Sequence, residues 1–102
     1  MIVALGGNDI ILSRGGHDVI CAGAGNDLVS GGGGNDLIFG ENGDDKIFGS
    51  LGSDDLDGGP GNDILGGILG DNDMDGGPDF DICLGTVGED TAVNCETFVN
   101  FP

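Results

Sequence analysis

The fold is decided by a nine-residue stretch that reads Gly31-Gly32-Gly33-Gly34-Asn35-Asp36-Leu37-Ile38-Phe39. Six residues suited to a tight turn, closed by an aspartate, precede three residues that favour a β-strand. The same pattern recurs every nine residues, without insertion or deletion, from Ala4 to Val93. Ten tandem repeats of one short unit predict a solenoid, in which each unit is stable only when stacked on its neighbours.

Three positions of the repeat define its alignment. The fourth is glycine except at Asp79. The sixth position carries Asp9, Asp18, Asp27, Asp36, Asp45, Asp54, Asp63, Asn72, Asp81 and Asp90. The eighth position carries Ile11, Ile20, Val29, Ile38, Ile47, Leu56, Leu65, Met74, Cys83 and Ala92. A disordered acidic linker would not keep one position apolar in every repeat, so the eighth position predicts a shared core.

The predicted fold is all-β, a parallel β-roll. Strands of three residues cannot stand alone, but stacked in parallel at roughly 4.8 Å they can share one thin core. Because successive turns reverse the chain, two repeats form one coil of 18 residues, and ten repeats form about five coils. Odd repeats then stack on one face and even repeats on the other. We expect residues 1–3 to end a truncated preceding repeat, 4–93 to form the roll, and 94–102 to form a capping tail.

The composition favours a cation as the binding partner. The 102 residues include 24 glycines and only two cationic side chains, Arg14 and Lys46, and the formal net charge is −17. Nucleic acids and anionic membranes require clusters of Lys and Arg, so neither is expected as a partner. Membrane insertion is not expected either, because no apolar stretch is long enough to span a bilayer.

Stacking at a spacing of two repeats brings the sixth positions together in pairs. The pairs are Asp9/Asp27, Asp18/Asp36, Asp27/Asp45, Asp36/Asp54, Asp45/Asp63, Asp54/Asn72, Asp63/Asp81 and Asn72/Asp90. Partly buried carboxylates at such short range repel unless they are protonated or share a cation. With glycine carbonyls nearby, the ligands are all oxygen, which favours Ca²⁺ over Mg²⁺, Zn²⁺ or copper. Up to about eight ions would nearly balance the net charge of −17.

The repeats resemble a known family. The stretch quoted above and Gly58-Gly59-Pro60-Gly61-Asn62-Asp63-Ile64-Leu65-Gly66 are similar to the RTX, or haemolysin-type, calcium-binding nonapeptide G-G-x-G-x-D-x-U-x, and the similarity covers residues 4–93. The resemblance implies a right-handed roll in a secreted bacterial protein, with Ca²⁺ between adjacent coils. It also implies backbone ligands, which for the Asp27/Asp45 site would be Gly23, Gly25, Gly40 and Asn42. The equivalent positions of neighbouring repeats are Gly32, Gly34, Gly43, Gly49, Gly58, Pro60 and Gly61.

Two positions depart from the family pattern. Asn72 offers a neutral oxygen, so the two sites that contain it are expected to be weaker or empty. Asp79 replaces a glycine, and aspartate tolerates the left-handed backbone conformation at some cost.

The outward strand positions suggest further contacts. On the even face Asp55 stacks on Asp73 and Asp57 on Asp75, which is either a solvated acidic patch or an additional surface cation site. On the odd face an apolar row, interrupted by Lys46, predicts a contact with a partner domain or self-association, although outward apolar residues also simply stabilise strands. The row consists of Ile10, Leu28, Ile64 and Ile82, flanked by Leu12, Phe48 and Leu84.

The three cysteines leave one unpaired. A bridge between Cys83 and Cys95 would pin the tail on the last coil, and the Cys-Leu-Gly…Asn-Cys-Glu ending resembles secreted RTX-like proteins that carry such a pair. Cys21 is expected to stay free. The single histidine, His17, has no serine or cysteine nucleophile at a matching position, so no enzymatic activity is expected.

Three functions are consistent with this sequence. The first is a calcium-dependent folding and stability module, coupled to secretion, of an extracellular bacterial protein. The second is an adhesin or surface-recognition module. An ice-binding array would need threonine at the third position of the turns, and no repeat has it there. Binding of acidic glycans would need clustered cationic residues, which the sequence lacks. The third is an accessory domain of an exoenzyme whose catalytic domain is absent from this chain.

Overall fold

A computed structural model of the protein describes residues 1–100, which form twelve strands and no helix. Residues 101 and 102, at the end of the expected tail of residues 94–102, lie outside the described part. Within the described residues no helix is long and apolar enough to cross a membrane. The strands are β1 (Ile2–Val3), β2 (Ile10–Leu12), β3 (Val19–Cys21), β4 (Leu28–Ser30), β5 (Leu37–Phe39), β6 (Lys46–Phe48), β7 (Asp55–Asp57), β8 (Ile64–Leu69), β9 (Asp73–Asp75), β10 (Ile82–Val87), β11 (Thr91–Val93) and β12 (Thr97–Asn100).

The strands form two parallel sheets that wind as a solenoid. One sheet has the order β1-β3-β5-β7-β9-β11 and the other the order β12-β10-β8-β6-β4-β2. Within the repeats each strand pairs with the strand two repeats further on, as Ile20 does with Ile38 and Ile47 with Leu65. The predicted parallel roll, with about five coils of two repeats each, is confirmed.

The core is a single layer of side chains between the sheets. The eighth-position residues from Ile11 to Cys83 are all buried, and Ala92 packs against them while partly exposed. The molecule measures 36 × 30 × 14 Å, and the smallest dimension leaves room for two sheets and one layer of side chains. The sequence therefore specifies the core through one residue in nine.

Two strands are longer than the sequence predicts. The repeat predicts three-residue strands throughout, whereas β8 and β10 each run for six residues through the corner between two repeats. Most turns place their second residue in the left-handed region, including Arg14 at φ 69°. The second residues in these two corners are Ile68 and Thr86, and neither has a positive φ. A β-branched side chain disfavours that conformation, so the chain stays extended and Gly67 pairs with Gly85 and Leu69 with Val87.

Close stacking explains the glycine at the fourth position. Gly34 has φ +94°, and a Cβ atom placed on it would lie 2.3 Å from the carbonyl oxygen of Gly16 in the preceding coil. Asp79 fills this position in one repeat with φ 78°, and its carboxylate accepts a hydrogen bond of 3.0 Å from the N–H of Gly61. This contact compensates in part for the strained backbone.

The outward rows stack as expected. Ile10, Leu28, Lys46, Ile64 and Ile82 are paired in register across the odd sheet. The exposed fraction of the apolar side chains falls along the row. Ile10 is 73% exposed and Leu28 38%, whereas Ile64 and Ile82 are half-buried. A partner contact through this row stays a prediction.

Candidate metal centre

The sixth-position residues form a continuous ladder along each edge of the roll. The backbone N–H of Asp45 donates to Oδ1 of Asp63 at 2.8 Å. The same bond, 2.7 to 2.9 Å long, joins all eight pairs expected from the spacing of two repeats. Oδ1 of the later residue in each pair is thus held by the coil that precedes it.

The second oxygen of these carboxylates is left without a donor. The residues whose Oδ2 atom is buried and has no hydrogen-bond partner are Asp9, Asp27, Asp36, Asp45, Asp54, Asp63, Asp81 and Asp90. A buried acceptor without a partner costs roughly 1–3 kcal/mol, and more when it is charged. Eight such oxygens at equivalent positions of the repeat indicate that the fold presents them to a ligand.

The first position of each turn shows which way Oδ2 points. A Cβ atom on Gly40 would lie 2.7 Å from Oδ2 of Asp45 and 2.7 Å from the carbonyl oxygen of Gly58, which belongs to the next coil. The same arrangement recurs at Gly58, with Oδ2 of Asp63 at 2.6 Å and the carbonyl oxygen of Gly76 at 2.9 Å. Glycine is needed here for space, and not for a positive φ. Oδ2 therefore faces the interval between its own coil and the next, beside a backbone carbonyl.

Burial makes these carboxylates hard to ionise. Burial and, to a smaller extent, the negative charge of the preceding aspartate in the ladder raise the pKa of Asp45 and Asp63 to about 7, although the hydrogen bond from the backbone lowers it. Burial likewise raises the pKa of Asp54 to about 6 and that of Asp36 in the same direction. At neutral pH such oxygens are stable only with a proton or with a cation, and a divalent cation neutralises two of them at once.

The backbone must supply the remaining ligands of such a cation. Among residues 1–100 no three or more His, Cys, Asp or Glu side chains converge on one point. The carbonyl of Asn42 accepts a hydrogen bond of 3.0 Å from the N–H of Gly25, and that of Pro60 accepts one of 3.2 Å from Gly43. Each keeps a second lone pair. Carboxylate and carbonyl oxygens in an irregular arrangement suit Ca²⁺.

The remaining backbone positions expected as ligands lie in the same turns. Gly23, Gly25, Gly32, Gly34 and Gly61 are in the left-handed conformation at second or fourth positions. Gly49 occupies a first position, where a Cβ atom would lie against the carboxylate of Asp54. Their roles as metal ligands stay predictions.

Asn72 affects its two sites differently. Its Oδ1 accepts the N–H of Asp54 at 2.8 Å, so the Asp54/Asn72 interval keeps two oxygens. Its Nδ2 donates to Oδ1 of Asp90 at 3.0 Å and to the carbonyl of Gly70 at 3.3 Å. The amide group thus takes the place of Oδ2 and presents hydrogens to the Asn72/Asp90 interval. A cation in this second interval would meet amide hydrogens, unlike in the other seven expected pairs. Weaker or absent binding at the two Asn72 sites stays a prediction.

The Asp18/Asp36 interval has a local difference of its own. Ser13 occupies the first position of that repeat, and its hydroxyl Oγ contacts Oδ2 of Asp18. Asp18 is therefore the one ladder aspartate whose Oδ2 is hydrogen-bonded. The contact keeps a further oxygen beside the carboxylate.

A second ladder was not anticipated. The fifth-position side chain accepts the N–H of a residue two repeats later, as Oδ1 of Asn26 does from Asp44 and Nδ1 of His17 does from Asn35. This ladder runs opposite to that of the sixth position, whose acceptors belong to the later residue. Asn8, Asn26, Asn35 and Asn62 at this position were the available signal, since short amide side chains are efficient backbone acceptors.

The acidic residues of the even face stack as expected. Asp55 pairs with Asp73 and Asp57 with Asp75. Oδ1 of Asp57 accepts the N–H of Gly59 at 3.1 Å, and Oδ1 of Asp75 accepts the side-chain amide of Asn94 at 2.9 Å. Burial, and then the charge of Asp75, raise the pKa of Asp57. Unlike Oδ2 of most ladder residues, Oδ1 of Asp57 and of Asp75 thus each has a donor in the protein. The choice between a solvated patch and an additional cation site stays a prediction.

The family model of the RTX calcium-binding nonapeptide repeat (4 copies) matches residues 1–29 and 30–65. These ranges make up more than half of the chain, which therefore belongs to the RTX calcium-binding nonapeptide repeat family. No curated protein and no solved structure matches the chain. The repeats are thus calcium-binding units, in agreement with the oxygen-lined intervals between coils.

Proposed function

We propose that this chain is a calcium-dependent folding module of a secreted, extracellular bacterial protein, with a structural and not a catalytic role. The observation that carries the proposal is the set of eight buried Oδ2 atoms without hydrogen-bond partners. A roll that leaves them ionised and bare is strongly disfavoured, so the ions are part of what makes it fold.

Seven intervals between coils are suited to an ion. Each combines Oδ2 of one aspartate with Oδ1 of the residue two repeats later, as in Asp45 and Asp63, together with carbonyls of the two turns. The ions would offset most of the net charge of −17, which otherwise opposes a thin, compact fold. Since binding free energy is here folding free energy, the stability of the roll follows the calcium concentration.

The disulfide and the calcium requirement point to the same compartment. Cys83 and Cys95 are bridged, with a Cα–Cα distance of 5.9 Å, and Cys21 is a free cysteine. Disulfides persist in oxidising surroundings outside the cytoplasm. A chain that is unfolded at low calcium inside the cell and folds at millimolar calcium outside it is suited to export.

The test is far-UV circular dichroism of the whole chain. We expect a β-sheet spectrum in millimolar Ca²⁺, its loss after addition of EDTA, and its return when Ca²⁺ is restored. Mg²⁺ at the same concentration is the control, and it should restore much less of the signal because it requires a tight octahedron. A β-sheet spectrum that EDTA leaves unchanged would refute the proposal.

A further inference from the structure

The C-terminal tail pairs with the last coil at a different spacing from the rest of the chain. Strand β12 continues the odd sheet, and Thr97 lies opposite Ile82, which itself lies opposite Ile64 on its other side. Counted along the sequence, the step from Ile82 to Thr97 is shorter than the step from Ile64 to Ile82. The turn before β12 is therefore three residues shorter than the turns of the repeats. Glu96 consequently comes to lie beside Asp81, and Val99, which follows Asp81 by two full repeat lengths, does not.

Glu96 occupies the acceptor position of the aspartate ladder. The N–H of Asp81 donates to Oε1 of Glu96 at 2.7 Å. In the same way the N–H of Asp63 donates to Oδ1 of Asp81 at 2.7 Å. The ladder on this edge thus continues for one more step, with a glutamate in place of an aspartate.

The free oxygen of Asp81 faces this tail. Asp81 is fully buried, and its Oδ2 has no hydrogen-bond partner. A Cβ atom on Gly76 would lie 2.8 Å from this Oδ2 and 2.5 Å from the carbonyl oxygen of Asn94. Asn94 follows Gly76 by two repeat lengths, so its carbonyl takes the place that the Gly58 carbonyl has beside Asp45. Burial and, to a smaller extent, the charge of Glu96 raise the pKa of Asp81 to about 6.

We propose that Asp81, Glu96 and the carbonyl of Asn94 form an additional calcium site that closes the C-terminal end of the roll. The site lies outside the aspartate pairs of the repeats, and it rests on the proposed function because the ion is the same. The disulfide between Cys83 and Cys95 holds Cys95, the residue next to Glu96, against the last coil. The ion and the disulfide together fix the tail in position.

The alternative is that Glu96 binds no ion and only accepts the hydrogen bond from the backbone N–H of Asp81. The variant Glu96→Gln separates the two roles, since the amide oxygen still accepts the N–H of Asp81 while the charge is lost. The matched control is Glu89→Gln, because Glu89 is an exposed residue whose contact is made through its backbone N–H. The number of bound Ca²⁺ ions is counted at saturation by equilibrium dialysis of the oxidised chain, and circular dichroism verifies the fold.

We expect Glu96→Gln to bind one ion fewer than the wild type and Glu89→Gln to bind the same number. Equal numbers for the wild type and Glu96→Gln would overturn the terminal site while leaving the proposed function intact. A wild-type chain that binds no calcium would refute both.

A second variant covers the case in which Glu96→Gln fails to fold. In Asp81→Asn the amide should be oriented like that of Asn72, with its oxygen toward Asp63 and its nitrogen toward Glu96. The roll accommodates such an amide at Asn72, so we expect this variant to fold and to lose one ion. An unchanged ion number in Asp81→Asn would also overturn the terminal site.

Discussion

The N–H of Asp45 donates to Oδ1 of Asp63 at 2.8 Å, while Oδ2 of Asp45, which faces the same coil, is buried and has no partner. The hydrogen bond sets Asp45 beside Asp63, and the buried Oδ2 requires a proton or a cation nearby. Oδ1 of Asp45 in turn accepts the N–H of Asp27, so under the proposed function one side chain pairs the coils through Oδ1 and holds a cation through Oδ2.

The two roles can be separated with an amide. In Asp45→Asn the side-chain oxygen keeps the N–H of Asp27, so the NH₂ group must face Asp63, as that of Asn72 faces Asp90. We expect one bound Ca²⁺ fewer and a rise of roughly two- to tenfold in the calcium concentration at the folding midpoint, measured by titration with circular dichroism.

The control for this substitution is its neighbour. Asp44 is exposed, and its Oδ1 accepts the N–H of Asn62, a bond that an asparagine preserves. Asp44→Asn should therefore bind as many ions as the wild type. If both variants lose an ion, the loss reflects net charge and not the position of Oδ2.

The converse substitution should create a site. Asn72→Asp replaces the amide that donates to Asp90 with a carboxylate oxygen, so the last pair of the even edge acquires the composition of the others. We expect one additional ion at saturation and a higher denaturant midpoint in calcium. Asn62→Asp adds the same charge at an exposed position, where Oδ1 accepts the N–H of Phe80, and it should add no ion. An unchanged ion number in Asn72→Asp would contradict the proposed role of Oδ2.

Adjacent glycines test the stacking of the turns. Gly34→Ala places a Cβ atom 2.3 Å from the Gly16 carbonyl oxygen at φ +94°, whereas at Gly33 the nearest atom, the Arg14 carbonyl oxygen, is 3.9 Å away. We expect Gly34→Ala to lower the unfolding free energy in calcium by at least about 2 kcal/mol, and Gly33→Ala to change it by less than about 1 kcal/mol. Denaturant titration at saturating calcium measures both. Similar losses in the two variants would mean that the close carbonyl contact is not the cause.

The metal-free chain should respond to acid. The folded-state pKa values of Asp45 and Asp63 are about 7, above the ordinary value of 3.8, so folding takes up protons between these limits. Stability without metal is therefore lowest above pH 7 and increases as the pH falls toward 4. We expect circular dichroism of calcium-free protein to show more β structure at pH 5 than at pH 8. The opposite trend would show that these carboxylates are not buried in the metal-free chain.

The regular parts of the fold could be predicted from the sequence because they depend on spacing alone. A gapless period of nine fixes which strands pair, places Ile38 and Ile47 in the core, and sets Asp45 beside Asp63. None of these features depends on the detailed conformation of a turn.

The irregular parts could not be predicted, because each depends on a local contact. The long strands β8 and β10 follow from β-branched residues at Ile68 and Thr86. The direction of the Asn72 amide is set by its three hydrogen-bond partners. The shortened step into the tail, which places Glu96 beside Asp81, is not contained in the periodicity. The bridge between Cys83 and Cys95 is expected only from the resemblance to secreted RTX-like proteins.

The short final turn also provides a reference point for a chain that otherwise looks alike from one coil to the next. A coil that paired in a register shifted by one repeat would still place aspartates beside the N–H groups and apolar residues in the core. At the end of the molecule, however, the slip would separate Glu96 from Asp81 and Cys95 from Cys83. This one shorter turn therefore distinguishes the correct strand register from registers shifted by whole repeats.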